Sequence, residues 1–85
     1  MMKNKLLIKL YVPAIDSEYE IFIPTNETIK KVVGLIIKCI EDLSDITLSS
    51  NSTYYLIDPE LSAIYPNSAI IRDTNIVNDK KIILL

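Results

Sequence analysis

Cys39 is the only thiol in the chain, and no histidine is present to activate it. A nucleophilic cysteine needs a depressed pKa and a neighbouring base. Cys39 therefore reads as a small hydrophobe beside an apolar helical stripe, one turn from Leu35. Two acidic clusters meet a similar test. Asp16, Glu18 and Glu20 stand close together, but a calcium loop needs denser ligand spacing and a glycine turn. A solvated strand edge accounts for them. Asp73, Asn75, Asn78 and Asp79 are residue types that build turns. Gly34 is the only glycine, so no glycine-rich phosphate loop can be written, and the lack of histidine removes the imidazole metal site and the His-based triad. No catalytic residue, metal site or cofactor is expected, and the chain does not read as an enzyme.

The elements that hold these residues belong to one small domain, expected over residues 1–85. Half the residues are hydrophobic (49%) and 24% are charged, a globular composition. Nine Lys and Arg oppose eleven Asp and Glu, for a net charge of −2. The basic residues are scattered, with pairs only at Lys30-Lys31 and Lys80-Lys81, which speaks against a nucleic-acid partner. One cysteine cannot form an internal disulfide, so a reducing, cytoplasmic location is expected. Met1 to Ile8 briefly imitates a signal peptide. Lys9 interrupts the apolar run, and Val12-Pro13 follows without a small-residue cleavage site. No apolar stretch approaches the ~20 residues that span a bilayer, so direct membrane insertion is not expected.

Lys5 to Val12 alternates, with Leu6, Ile8, Leu10 and Val12 on one face and Lys5, Leu7, Lys9 and Tyr11 on the other. That is a half-buried strand. Turn chemistry at 13–17 separates it from a second alternating run, Glu18–Ile23, and the spacing suits an antiparallel hairpin that Pro24 ends. Thr28 is an N-cap candidate. From there Ile29, Val32, Val33, Ile36, Ile40 and Leu43 share one helical face, with Leu35 and Ile37 at its margins. Gly34 falls on the polar side with Lys30, Lys31, Lys38, Glu41 and Asp42. Ser44–Thr53 reads as loop, with Ile46 and Leu48 tucked beneath it. Thr53–Ile57 is a third strand, 58–60 a turn, Leu61–Tyr65 a short strand, Ala69–Asn75 one helical turn, and Lys80–Leu85 the last strand. A hairpin before a single helix does not fit a doubly wound sheet. The expected class is α+β, in ββαββ order. It is a β-grasp mixed sheet of four to five strands with one main helix across it, and the first and last strands lie parallel at its centre.

The chain resembles the ubiquitin-like superfamily in its hairpin, in Pro24-Thr25-Asn26-Glu27-Thr28-Ile29-Lys30-Lys31-Val32 at the helix start, and in Ile71-Arg72-Asp73-Thr74-Asn75-Ile76. Within it, the chain is most similar to the bacterial YukD/EsaB-like proteins of type VII (WXG100, ESX-like) secretion systems. Their ending, Leu-x-Asp-x-x-Ile-x-Asp-Gly-Asp-x-Leu-x-Leu-Leu, is mirrored by Ile71, Asp73, Ile76, Asn78, Asp79, Ile82, Leu84 and Leu85. The family's Gly-Asp turn is replaced by Asp79-Lys80, and Asn78 is a residue type that tolerates the left-handed conformation a glycine would adopt. The Gly-Gly tail of ubiquitin and the sulfur carriers is absent, since Ile83-Leu84-Leu85 is bulky and strand-forming.

If Leu6, Ile8, Leu10, Ile21, Ile23, Ile82 and Leu84 face the helix, then Leu7, Tyr11, Phe22, Ile83 and Leu85 face away. The expectation is one apolar patch ringed by Lys9, Glu20 and Lys81, read by a protein partner. Phe22, Tyr11 and Ile83 are its anchors and the charges set orientation. The resemblance implies a non-catalytic adaptor or regulator in the cytoplasm, recruited to the inner face of the membrane by a partner. That partner would be a secretion-system membrane component or its FtsK/SpoIIIE-type ATPase. A homodimer through the same face, a carrier reacting at its C-terminus, and a self-associating scaffold unrelated to secretion are the alternatives.

Overall fold

A computed structural model describes residues 4–48 and 53–85. Lys5–Val12 (β1) and Ser17–Pro24 (β2) form an antiparallel hairpin in which Tyr11 pairs with Glu18 and Val12 with Ser17. A 3₁₀ turn at Pro13–Ile15 closes it. The Asp16 N–H donates to the Pro13 carbonyl at 3.1 Å, and Asp16 takes φ 47°. Aspartate tolerates this left-handed geometry because its short carboxylate bonds locally; here it accepts the Tyr11 hydroxyl at 2.9 Å.

Ile29–Ser44 (α1) follows, then Leu56–Asp58 (β3), Ala63–Ile64 (β4), a 3₁₀ turn at Ile71–Asp73 and Lys80–Leu84 (β5). The sheet order is β2-β1-β5-β3-β4. β1 and β5 pair in parallel, and the other neighbours are antiparallel. One helix on a five-stranded mixed sheet with parallel central strands is the expected β-grasp arrangement. Period two puts Ile8, Leu10, Val12, Ile21, Ile23, Leu56, Ile82 and Leu84 on the inner face. There they are buried against Ile29, Val32, Val33, Ile36 and Ile40 of α1. Leu48, Tyr65, Ile71 and Ile76 close the ends of this core, and Ile46 packs against it half-buried.

The Thr28 hydroxyl caps α1, accepting from the Lys31 N–H at 3.2 Å. The Ile29 and Lys30 N–H groups donate to the Ala69 and Asn67 carbonyls at 2.8 and 3.1 Å, so the 67–71 segment satisfies the rest of the first turn. Charge runs against the helix dipole. The first turn holds no acid and the last turn no base. Lys30 and Lys31 instead lie at the positive end, and Glu41 and Asp42 lie near the negative end. Each such placement costs about 0.3–1 kcal/mol in an exposed helix.

The structure departs from expectation in several places. Leu43 is 68% exposed, because at the last helical turn Ser44 is the residue that meets the sheet, through a hydrogen bond with the Tyr19 hydroxyl. Leu35 is exposed rather than marginal, and Cys39 is half-buried. The third strand begins at Leu56, not Thr53. Tyr55 still exchanges two backbone bonds with Leu85, at 2.8 and 3.0 Å, beyond the named strands. In the loop expected over 44–53, residues 49–52 lie outside the described residues, as do 1–3 at the start. The left-handed residue before β5 is Asp79 (φ 66°), not Asn78. Asn78 instead accepts the Leu7 N–H with its side-chain oxygen at 2.9 Å.

Thr28→Ala is expected to lower stability by about 1 kcal/mol through the lost cap. Ile36→Ala is expected to cost ~2–5 kcal/mol through the cavity it leaves under the helix. Urea unfolding should show both as lower midpoints at an unchanged slope.

Candidate functional site

Cross-strand pairing orders the outer face of the sheet into rows. Phe22 stands beside Leu7. The next row outward is Glu20–Lys9–Lys81, across β2, β1 and β5. The third is Glu18–Tyr11–Ile83–Ile57–Ile64, across all five strands. Leu85 beside Tyr55 extends the apolar end. The eight residues expected on this face, Leu7, Lys9, Tyr11, Glu20, Phe22, Lys81, Ile83 and Leu85, are therefore on one side of the sheet.

Their arrangement differs from the expected ring. The charged row runs through the middle, separating the Leu7–Phe22 pair from the longer Tyr11–Ile83–Ile57–Ile64 band. Phe22 is 52% exposed and Ile64 58%, whereas Leu7, Tyr11, Ile83 and Ile57 are half-buried by their neighbours. A shallow trough of about 640 Å³ lies over this crossing, bordered by Lys9, Tyr11, Glu20, Pro59, Lys81 and Ile83. Among the described residues, neither Lys9 nor Lys81 forms an ion pair within 4 Å, so both ammonium groups remain available to a partner. The Tyr11 ring is steered by its bond to Asp16, which holds the phenol above its usual pKa.

The inner face carries a polar cluster that the alternation of residue types did not disclose. Asp58, 1% exposed, accepts from Lys80 Nζ at 3.0 Å, from Asn75 Nδ2 at 2.8 Å and from the Glu60 N–H at 2.9 Å. The Tyr65 hydroxyl donates to Asn75 at 2.6 Å, and Glu60 lies 3.4 Å from the Lys80 ammonium. The Asn75 bond, followed by those from Lys80 and the Glu60 N–H, outweighs burial and holds the Asp58 carboxyl at about 2. The bond to Asp58 raises the Lys80 pKa, and burial pushes the Tyr65 phenol up to about 12. The cluster ties β3 and β5 to residues 65 and 75, so it positions the loops rather than opening a reactive site. One signal for it lies in the sequence: Lys80 sits at an inward position of a strand whose other inward residues are Ile82 and Leu84. Among the described residues no group of three or more His, Cys, Asp or Glu is placed to hold a metal ion. Nor, among the described residues, is any helix long and apolar enough to cross a membrane.

No protein-family model and no curated protein matches the sequence. Solved structures do match. The EccD5 ubiquitin-like domain from Mycobacterium xenopi superposes with a TM-score of 0.69 at 7% identity, over 95% of this chain and 92% of that one. The fold is ubiquitin-like. A chain of the MycP5-free ESX-5 inner membrane complex gives 0.71 at 6% identity over 96% of this chain, which spans only 21% of that chain. A chain of the toluene 4-monooxygenase HD complex with the inhibitor 4-bromobenzoate gives 0.74 at 7% identity, over 94% and 95%. One ubiquitin-like scaffold thus occurs in unrelated settings, and at these identities the likeness concerns the fold alone.

The outer face of this ubiquitin-like fold also includes Ile57, Ile64 and Tyr55, beyond the eight residues expected there. The register that brings them beside Ile83 and Leu85 depends on where β3 meets β5, and local alternation does not contain that information.

The buried cluster predicts a pH profile. Asp58 has its carboxyl lowered from 3.8 to about 2, so its stabilisation is present above about pH 4 and is lost as pH falls toward 2. Tyr65 and Lys80 have raised values, so their contribution is present at neutral pH and is lost in strong alkali, for Tyr65 as pH passes from 10 to about 12. The melting temperature is expected to stay level between these limits. Asp58→Asn should melt lower at neutral pH and show a shallower acid limb.

Proposed function

We propose that this chain is a non-catalytic adaptor or regulatory protein of a type VII (WXG100/ESX-like) secretion system, acting as one ubiquitin-like domain over 1–85. It docks a protein partner with the outer face of its sheet. The observation that carries the docking reading is the outer face itself, in which an apolar band crosses four of the five strands beside a row of charges that form no ion pair among the described residues. Exposed apolar area next to unsatisfied charge is what a specific protein interface buries. Ile83, Tyr11 and Phe22 serve as anchors. Lys9, Lys81 and Glu20 fix orientation across the trough, and Leu7 and Leu85 extend the contact at either end.

The secretion link rests on the YukD-like ending of the sequence and on the likeness to the EccD5 domain and to a chain of the ESX-5 inner membrane complex. The partner on this reading is a membrane component or the FtsK/SpoIIIE-type ATPase of such a machine. The adaptor works in the cytoplasm at the inner face of the membrane and needs no cofactor.

The test is capture of tagged protein from source cells, membranes included, with bound proteins identified by mass spectrometry. Wild type is expected to recover a secretion-system ATPase or membrane component. Ile83→Asp and Phe22→Asp are expected to recover at least ~10-fold less while remaining folded by circular dichroism at the assay temperature. Equal recovery by a folded Ile83→Asp variant removes the docking face from this role. Recovery of unrelated proteins by wild type removes the secretion assignment.

A further inference from the structure

The helix carries a second exposed apolar feature on the opposite layer of the molecule. Leu35 and Leu43 are 44% and 68% exposed, and half-buried Cys39 lies midway between them. Spaced four residues apart, the three form one ridge about 12 Å long on the flank of α1. Lys31, Lys38 and Asp42, all exposed, stand alongside it. The ridge has a charge polarity, with cations toward the helix start and anions toward its end, and that polarity opposes the helix's own dipole.

An arrangement that turns this polarity from a cost into a gain is an antiparallel copy of the same helix. A two-fold axis through Cys39 sets each residue against the one equally far on its other side. Leu35 then packs on the second copy's Leu43, and Leu43 on the second copy's Leu35. Lys38 falls beside the second copy's Asp42, and Lys31 lies near its acidic helix end. Each basic helix start also approaches a negative helix terminus. Such a patch is self-complementary, as an isologous contact requires. We propose that the Leu35–Cys39–Leu43 ridge of α1 is a homodimer contact between antiparallel helices, with Cys39 at the two-fold axis.

The proposal does not rest on the secretion reading. It makes the assembly two-sided: α1 covers the inner face of the sheet, so pairing through the helix flank leaves both outer faces uncovered and available to a repetitive or dimeric partner. Bivalent engagement raises affinity without any new contact. The ridge is short, below the size of a standard interface, so association is expected in the ~0.1–1 mM range for the free protein. Opposed charges make it stronger at low salt.

Sedimentation equilibrium on the full chain, under reducing conditions, tests the proposal. The expected result is a rise from monomer to dimer mass that weakens with added salt, with Leu43→Glu raising the dissociation constant about tenfold or more. Melting temperature and circular dichroism of Leu43→Glu should match wild type, because the side chain is already in solvent. A mixing experiment fixes the orientation. Lys31→Glu/Lys38→Glu protein and Asp42→Lys/Asp45→Lys protein should each be monomeric alone and should associate when combined. Copper-phenanthroline oxidation should link wild type through Cys39 and Cys39 of the second copy, and Leu43→Glu should lose that product. A monomer throughout the range at low salt overturns the proposal. So does a dimer that Ile83→Asp disrupts and Leu43→Glu leaves intact, since that dimer pairs through the sheet.

Discussion

Parallel pairing of β1 with β5 is the contact on which the rest of the structure depends. It matches Ile8 with Lys80 and Tyr11 with Ile83, joining the two ends of the described chain. The bond from the Leu7 N–H to the Asn78 side chain spans 71 residues, and the Asp79 N–H returns a bond to the Leu7 carbonyl at 2.8 Å. Without this seam the hairpin would be a two-stranded ribbon separate from a short β5–β3–β4 sheet, and an isolated hairpin is marginal in water. With it, β5 has neighbours on both sides, and one continuous sheet covers the helix. Closing a loop this long carries an entropy cost that the contacts across the seam must offset.

The same seam creates the outer face. Because side chains alternate, the register that buries Ile82 and Leu84 also presents Lys81 and Ile83 to solvent. Lys9 meets Lys81 directly across it, so two like charges lie side by side with Glu20 on the far flank. Like charges directly opposite in a sheet are unfavourable. The helix shows a related tension, with lysines at its start and acids near its end. Both are places where local charge works against the isolated fold, and both lie on surface that the core leaves uncovered.

The chain makes its turns almost without glycine. The left-handed positions are held by Asn4, Asp16, Asp45, Ser62 and Asp79, while Gly34 sits exposed in the helix with nothing within 4 Å of where a Cβ would stand. Short polar side chains reach this conformation more readily than others because they bond to nearby groups. Asp16 does so through the Tyr11 hydroxyl. Asp79 holds the turn that launches β5 while its neighbour Asn78 clamps the β1 backbone, so two polar residues make this turn without a glycine.

The amino-acid sequence by itself determined the local elements and their buried faces. Period-two patterning in 5–12 and 18–23 marked the hairpin. The Thr28 cap and the spacing of Ile29, Val32, Val33, Ile36 and Ile40 marked the helix and the side it buries. The paired orientation of Leu7, Lys9 and Tyr11 against Leu6, Ile8 and Leu10 followed from the same period, as did the outward placement of Phe22 and Ile83. Only the tertiary structure decided how distant segments line up. It put the charged row between apolar groups and brought Ile57 and Ile64 beside Ile83. It left Leu43 in solvent because Ser44 meets Tyr19, and it gathered Asp58, Asn75, Tyr65 and Lys80 into one buried cluster. The physical reason is that alternation and helical period are properties of neighbouring residues, whereas register between segments is chosen by the packing of the whole core.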